Sequence, residues 1–241
     1  MAISSKGLEV IYEDNHIIAV NKPNGILVQG DKTGDLTLPD LVKEYIKVRY
    51  HKPGDVFLGV FHRLDRPVSG VVIFARTSKA LARMNDMMRD KEFQKTYFAM
   101  VFPRPDELEG HLIHHIIKHE DKNMVKVLTR PKMDSKEAEL YYRVHAELDG
   151  KVLLIVNPLT GRPHQIRAQL SKIGSPILGD LKYGAAYALP NQNIALHCYE
   201  MKFMHPVKKE WVTIQASPPD IFPWNTFDTS TYQNVETDII T

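Results

Sequence analysis

The sequence predicts an α+β fold that contains a run of antiparallel strands. Short apolar runs rich in β-branched and aromatic residues recur along the chain, as they do in buried or half-buried strands. Three longer segments carry apolar residues at helical spacing instead. Between residues 110 and 156, strand candidates follow one another with only charged loops between them, which favours antiparallel pairing in that part of the chain.

The predicted elements follow in a definite order. Residues 8–20 hold two short strands, and a turn at 22–25 leads to a third apolar run at 26–28. A helix over 37–50 is predicted to begin near Thr37 or Asp40. The later candidates are strands at 56–61 and 71–75, a helix at 78–91, strands at 95–101, 111–117, 124–128, 137–144 and 151–156, a helix at 161–173, and strands at 194–203 and 210–216.

Composition places the chain among ordinary globular proteins. Its 241 residues are 43% hydrophobic and 25% charged, which excludes a disordered or fibrous protein. A net charge of +2 neither requires nor excludes a polyanionic partner. The lone Cys198 excludes an internal disulfide framework and indicates a reducing compartment. Because we find neither a secretory signal pattern nor an apolar run of about 18 residues, we predict a cytoplasmic protein without a membrane partner.

The segment GVFHRLDRPVSGVVIFART, residues 59–77, is the most informative part of the sequence. It places His62, Arg63, Asp65 and Arg66 in a short loop between two apolar runs. Positive charge from the flanking arginines favours the ionised form of the Asp65 carboxylate, which can act as a nucleophile or base. The alternative is a structural role, in which Asp65 only closes a turn before Pro67.

A second polar cluster lies in LTGRPHQIRAQL, residues 159–170. Arg162, His164, Gln165 and Arg167 fall within six positions at the predicted start of the third helix. Backbone amides and arginines at a helix N-terminus attract anions, so a phosphate or an aspartate is a candidate partner. The alternative is a solvated polar face of the helix.

Two further patterns are weaker. A metal site at His114, His115, His119 and Glu120 is not favoured, because Ile116 stands where a zinc protease helix needs glutamate and the segment alternates like a strand. Basic residues at 79–95 and 118–136 are interspersed with acids. These residues form either an ordinary solvent-exposed surface or a surface that binds nucleic acid.

Taken together and in order, these motifs resemble the RluA family of RNA pseudouridine synthases over residues 8–216. HRLDRPVSG resembles the family loop that carries the nucleophilic aspartate, here Asp65, and KTYFAMV resembles the strand with the active-site tyrosine, here Tyr97. TGRPHQIRAQL resembles the segment whose arginine, here Arg167, pairs with that aspartate. IALHCYEMKFMHP resembles the final strand, with Leu196 as an apolar pocket wall, and YEDNHIIAVNKPNGILV resembles the opening strands. The sequence departs from the family pattern at Val68, Gln169 and Met201.

The resemblance implies a pseudouridine synthase fold: a mixed, mainly antiparallel central sheet in two halves, with flanking helices and a central RNA-binding cleft. It also implies one catalytic domain over residues 1–216. From Ser217 the composition shifts to Pro, Asp, Asn and Thr, so residues 217–241 are predicted to be an extended or partly disordered tail.

The implied reaction is the isomerisation of uridine to pseudouridine in ribosomal or transfer RNA, on a nucleotide flipped out of its stack. The implied catalytic residues are Asp65, Tyr97 and Arg167. Neither cofactor nor metal is implied, and the expected state is a monomer that does not bind DNA. The residues implied to bind substrate are His62, Arg63, Arg162, His164, Gln165 and Leu196, of which Arg162, His164 and Gln165 either shape their loop or bind phosphate.

Three questions stay open at the level of sequence. Asp65 has the chemistry to attack C1′ or C6 or to remove the C2′ proton, and residue types do not choose among these. A catalytically silent RNA-binding protein and a nucleoside hydrolase are the rival functions. The target RNA and the modified uridine are not identified.

Overall fold

The structure is a computed structural model that describes residues 7–30, 34–119, 123–233 and 235–237. It contains strands and helices in an interleaved order, so the predicted α+β class is confirmed. The elements are β1 (Glu9–Glu13), β2 (Ile17–Lys22), α1 (Leu38–Arg49), β3 (Gly59–Val60), β4 (Ser69–Ala75), α2 (Ser78–Arg89), β5 (Gln94–Val101), β6 (Glu109–Lys118), β7 (Val125–Leu128), β8 (Lys136–Leu148), β9 (Lys151–Pro158), α3 (Gln165–Lys172), β10 (Leu196–Met204) and β11 (Trp211–Gln215).

The chain divides into two compact units. Unit 1 comprises Met1–Gln94 and Cys198–Ser217, and unit 2 comprises Lys95–His197 and Pro218–Thr241. Each unit has its own run of strands and its own buried apolar residues.

Unit 1 is built on strands in the order β1-β2-β4-β10, with β3 also beside β4 and β11 beside β10. The pairs β1–β2, β2–β4, β3–β4 and β10–β11 are antiparallel. Every residue of β4 is buried, and Ile17–Val20 of β2 are fully inaccessible to solvent. These two strands therefore form the centre of the unit, and the Asp65 loop leads directly into one of them.

Unit 2 is built on strands in the order β5-β9-β8-β6-β7. All four neighbouring pairs are antiparallel. The predicted antiparallel run between residues 110 and 156 is confirmed. The most buried strand is β9, in which residues 152–156 are fully inaccessible to solvent.

The first two helices begin where capping residues allow. Thr37 caps α1, and its backbone amide in turn donates to the Asp40 carboxylate, so the two candidates act together as a capping box. Thr77 caps α2 through the amide of Ala80. Leu38, Leu41 and Val42 on α1 and Ala80, Met84 and Met87 on α2 are buried. Among the described residues, no helix has the length and apolarity that a bilayer crossing requires.

The structure differs from the sequence prediction at the start of the third helix and in the run at 56–61, and it shows little strand pairing in the run at 26–28. The third helix begins at Gln165 rather than 161, because Pro163 disfavours helical geometry at Arg162 and His164 has a left-handed φ of 52°. Arg162 and His164 therefore lie before the helix and not on its faces. The apolar run at 26–28 makes only a single bridge, between Leu27 and Thr37, and the run at 56–61 is a strand only at Gly59–Val60, where it pairs with β4.

The described part of the C-terminal segment has local structure within unit 2. It forms two short 3-10 helices, Trp224–Thr226 and Thr229–Tyr232. Trp224, Phe227 and Tyr232 are buried, and the Tyr232 hydroxyl donates a hydrogen bond to the carbonyl of Trp224 over 2.7 Å. The Tyr232 ring also packs 5.5 Å from the ring of Phe98 on β5.

Candidate active site

Asp65 lies in the loop of unit 1 that joins β3 to β4. It is half-buried, and its carbonyl accepts a hydrogen bond from the Val68 amide over 3.1 Å, which closes a turn. The loop enters β4 through Gly70, whose φ of +113° is strained for any other residue. A Cβ atom at Gly70 would also collide with the backbone carbonyl of Cys198 on β10. The backbone geometry of this loop thus depends on a glycine at one end.

Lys22, at the end of β2, holds the other side of the loop. Its side chain is fully buried, and its amine donates to the carbonyls of Pro23, Arg66 and Val68 over 3.0, 3.1 and 2.6 Å. Burial lowers the pKa of Lys22 to about 7, although the Asp65 carboxylate acts to raise it. Three carbonyl acceptors match the three donors of a charged ammonium. The three carbonyls therefore supply an acceptor for each donor of the amine when it is protonated.

The polar neighbours of Asp65 have separate partners in unit 1. The Nε2 atom of His62 accepts a hydrogen bond from the Ile73 amide over 2.8 Å, so this nitrogen carries no proton. Arg63 is exposed and donates to the Gln29 side chain over 2.5 Å. Arg66 donates to the Gly25 carbonyl and forms an ion pair of 2.9 Å with Asp35. These contacts join the loop to residues 24–35 of the same unit.

Arg167 is held by a buried ion pair in unit 2. Its Nε and Nη2 atoms donate to the two oxygens of Asp180 over 2.7 and 2.9 Å. The side chains are 5% and 1% exposed, so both charges are removed from water and depend on each other. The guanidinium carbon lies 5.0 Å from the centre of the Tyr183 ring. This combination fixes the plane and position of the guanidinium.

Tyr183 connects this ion pair to the start of α3. Its hydroxyl accepts a hydrogen bond from the Val125 amide over 2.9 Å and lies 2.8 Å from Nδ1 of His164. The Gln165 side chain accepts from the Thr160 hydroxyl and from the Arg162 amide, and it donates to the Glu139 carbonyl. Gln165 is 4% exposed, so these contacts give it a loop-shaping role.

The remaining predicted residues also lie in unit 2. Tyr97 is half-buried on β5, where it pairs with Val156 of β9. Leu196 is 4% exposed and begins β10. Arg162 donates from Nε to the Glu137 carbonyl over 2.8 Å. Among the three residues for which loop shaping or phosphate binding was predicted, Arg162 and Gln165 each donate to a backbone carbonyl of β8, and Gln165 also accepts from the Arg162 amide of its own loop.

Comparison with known proteins decides the family. The sequence model of the family described as RNA pseudouridylate synthase matches residues 16–172. The chain belongs to this family. As a pseudouridylate synthase, it is an enzyme that isomerises uridine to pseudouridine in RNA, and the family predicted from the ordered motifs is confirmed.

Individual relatives agree with this assignment. The chain is 32% identical over 220 residues to "Ribosomal large subunit pseudouridine synthase C" of Buchnera aphidicola subsp. Acyrthosiphon pisum (strain APS), a match over 88% of this chain and 67% of that protein. It is 31% identical over 216 residues to the protein of the same name from Vibrio parahaemolyticus serotype O3:K6 (strain RIMD 2210633), a match over 86% and 64%. The synthase therefore spans about two thirds of the length of these relatives.

Solved structures show the same fold. "Human RNA Pseudouridylate Synthase Domain Containing 4" aligns with a TM-score of 0.75 at 22% identity, over 89% of this chain and 91% of that one. "Human RNA Pseudouridylate Synthase Domain Containing 1" aligns with a TM-score of 0.70, also at 22% identity, over 92% and 88%. The expected pseudouridine synthase fold is confirmed.

The synthase distributes its predicted site residues over both units. Asp65, His62 and Arg63 belong to unit 1. The others, which are Tyr97, Arg162, His164, Gln165, Arg167 and Leu196, belong to unit 2. The catalytic roles of Asp65, Tyr97 and Arg167 stay predictions.

Sequence reasoning missed Lys22 and Asp180. Lys22 ends the apolar run of β2, and a lysine there is normally taken for a surface residue. Asp180 follows the buried Leu178 and Gly179, so an acid after a buried run was an available signal. Asp180 is 13 positions from Arg167, too far for helical spacing to pair them.

The three departures from the family pattern are buried. Val68 is 2% exposed, and Gln169 and Met201 are fully inaccessible. The Gln169 amide donates to the carbonyls of Leu112 and Ala138 and lies 3.1 Å from Nδ1 of His114, so it joins α3 to the strands of unit 2. That contact uses one of the histidines considered as metal ligands. Glu120 lies outside the described residues, and among the described ones no three metal-binding side chains cluster.

Proposed function

We propose that this synthase modifies specific uridines in structured ribosomal RNA, with Asp65 as the catalytic carboxylate acting on a flipped-out nucleotide. The observation that carries the proposal is the construction of the Asp65 loop. Buried Lys22 holds two of its carbonyls, and Gly70 fixes its exit into a fully buried strand. A loop restrained in this way presents a carboxylate at low cost in reorganisation, which is what preorganised catalysis requires.

The reaction conserves all atoms of the nucleotide. The bond from N1 of uracil to C1′ of ribose breaks, the base turns while bound, and C5 bonds to C1′. The proton at C5 is lost and a proton is taken up at N1. Asp65 supplies the charge that starts this sequence, as a nucleophile or a base.

Tyr97 and Arg167 have supporting roles in the proposal. Tyr97 stacks on the uracil, and its hydroxyl is a candidate acceptor for the C5 proton. Arg167, oriented by Asp180, steadies the negative charge of Asp65. The half-buried position of Tyr97 on β5 and the buried ion pair of Arg167 give both side chains the fixed positions that these roles require.

Ribosomal RNA is the proposed substrate because the relatives are named as ribosomal large subunit synthases. Flipping a uridine from structured RNA costs unstacking energy, which contacts to the displaced nucleotide must offset. Mapping pseudouridines in cells with and without the gene tests the choice. A missing modification in large-subunit ribosomal RNA supports it, and a missing modification only in transfer RNA contradicts it.

The direct test uses an RNA transcript labelled with tritium at C5 of uracil. Wild-type protein is expected to release tritium as the new bond forms. Asp65→Ala and Asp65→Asn are each expected to slow release at least about 10⁴-fold, because the second variant keeps the size of the side chain but removes its charge. Asp55→Ala is the matched control, since Asp55 is an exposed acid in the segment before β3.

The rival functions give different results in the same assay. A nucleoside hydrolase liberates free uracil, which chromatography detects. A silent RNA-binding protein binds the transcript and leaves tritium in place. Equal release by wild type and Asp65→Ala would remove Asp65 from the mechanism.

A further inference from the structure

Unit 2 carries an open groove beside β7 that the proposed chemistry does not use. Its volume is 370 Å³, its floor is Val127 and Leu128, and the cations Arg130, Lys132 and Lys172 line it. We call this feature the basic groove. All three cationic side chains are exposed, and within the part of the chain that the structure describes none of them forms an ion pair.

The positive charge is local to this part of the chain. Residues 123–136 hold four cations and a single acid, Asp134, whereas the whole chain has 31 cations against 29 acids. Outside this segment the chain therefore has 27 cations (31 − 4) and 28 acids (29 − 1). A cluster of cations without acidic partners is the footprint of an anionic ligand.

The loop of the basic groove is built rather than irregular. The Ser135 hydroxyl accepts a hydrogen bond from the Lys132 amide over 2.8 Å and donates to the Lys132 carbonyl over 2.5 Å. The Ser135 amide donates to the same carbonyl over 2.9 Å, and Asp134 between them has a left-handed φ of 64°. Lys132 is thus presented from a closed turn, which lowers the entropy lost on binding.

The floor of the groove is continuous with the packing around Arg167. Val127 packs against a buried cluster that includes Val125, Ala168 and Tyr183. Tyr183 in turn lies under the Arg167 guanidinium. Lys172 follows Arg167 by five residues on α3, a rise of about 7.5 Å. The groove and Arg167 therefore share helix α3, which carries Lys172 of the groove lining.

The neighbouring histidine does not add to the charge. Burial, followed by the positive charge of Lys172, lowers the pKa of His114. His114 is therefore neutral at pH 7, and its Nδ1 lies against the Gln169 amide. The charge of the groove comes from one arginine and two lysines, Arg130, Lys132 and Lys172.

We propose that the basic groove binds the phosphate backbone of the substrate RNA beside the target uridine. This inference rests on the proposed function, since it takes Arg167 as part of the site that receives the uridine. Flexible cations around an open groove bind phosphates as point charges and do not read bases. The groove is thus expected to contribute affinity and register without contributing sequence specificity.

The test removes the three charges together and compares that variant with a matched control. The groove variant is Arg130→Gln, Lys132→Gln and Lys172→Gln. The control is Lys43→Gln, Lys47→Gln and Lys52→Gln, which removes three exposed cations on and after α1 in unit 1. Dissociation constants for a target transcript are measured from low to high salt, and kcat and KM are measured by tritium release.

The groove variant is expected to weaken RNA binding at least about tenfold at low salt. It should lower the slope of log Kd against log salt by about 2, because each lost phosphate contact removes about 0.7 to 0.9. KM rises and kcat stays unchanged, whereas the control changes neither the slope nor KM to that extent. Circular dichroism and melting temperature establish that both variants fold.

Two outcomes would overturn the inference, and a third separates it from the proposed function. Equal effects in groove and control variants would show that only the overall charge counts. Unchanged RNA binding in the groove variant would leave another anionic partner, such as an acidic protein segment, as the occupant. If wild type binds RNA but releases no tritium, the proposed function fails, while the salt slopes still decide whether the groove binds RNA.

Discussion

The Asp65 loop and the Arg167 helix hold their key side chains in different ways. The backbone of the Asp65 loop accepts hydrogen bonds from outside the loop, since buried Lys22 donates to the carbonyls of Arg66 and Val68. Helix α3 satisfies its backbone internally, and the contacts of Arg167 with the Asp180 carboxylate and the Tyr183 ring are made by side chains. A loop is therefore fixed here through its backbone, and a helix residue through its partners.

Replacing Asp180 with asparagine should disrupt the ion pair that holds Arg167 and have the largest effect on stability. The change removes the carboxylate charge that pairs with the buried Arg167 guanidinium over 2.7 Å, so the free energy of unfolding is expected to fall by about 3–5 kcal/mol. Chemical denaturation of wild type and Asp180→Asn measures the loss.

A second variant separates an unpaired charge from a general packing defect. The double variant Arg167→Met with Asp180→Leu removes both charges and is expected to recover most of the lost stability. If the double variant is as unstable as Asp180→Asn, then volume rather than charge pairing holds this region together.

The sequence predicted the Asp65 loop better than the Arg167 helix, and locality explains why. Pro67 and Gly70 predict a turn from residues only a few positions apart, and the apolar run of β4 predicts the strand that follows it. The start of α3 and the pairing of Arg167 depend on Pro163, on the left-handed His164 and on an acid 13 positions away. Helical spacing pairs side chains that are three or four positions apart, so it does not predict the pairing of Arg167 with Asp180.

Lys22 was missed for a related reason. A lysine at the end of a strand is ordinarily exposed, and only the tertiary structure shows that loop carbonyls surround it. Recognition of the family motifs supplied the fold and the candidate catalytic residues. It did not supply the buried residues beneath them.

Replacing Lys22 with methionine should remove the hydrogen bonds that hold the backbone of the Asp65 loop. Methionine fills a similar volume but cannot donate to the carbonyls of Pro23, Arg66 and Val68. We expect a loss of about 2–3 kcal/mol, smaller than for Asp180→Asn, because removing a buried cation offsets part of the lost hydrogen bonding. Denaturation experiments measure the loss. Lys52→Met, at an exposed lysine, is the control.

The pH dependence of the unfolding free energy tests whether Lys22 is protonated in the folded state. Burial lowers the pKa of Lys22 to about 7, below the ordinary lysine value of 10.5. Between these values the unfolded state binds the proton and the folded state does not, so stability should rise as pH rises through that window. Lys22→Met is expected to lose this rise. If the unfolding free energy of the wild type stays constant across this pH window, the three carbonyls keep the ammonium charged in the folded state.

The smallest expected effect is at Asn24, which tests whether the loop depends on more than Lys22. The Asn24 amide donates to the Pro67 carbonyl over 2.6 Å at a half-buried position. Asn24→Ala is expected to cost about 1 kcal/mol of unfolding free energy, the typical value of one such bond. Asn123→Ala, at an exposed asparagine, should change stability by less than about 0.5 kcal/mol.

If Asn24→Ala also lowers kcat for tritium release while KM stays constant, the Pro67 contact contributes to the position of Asp65. If both constants stay at wild-type values, Lys22 and Gly70 suffice to hold the loop.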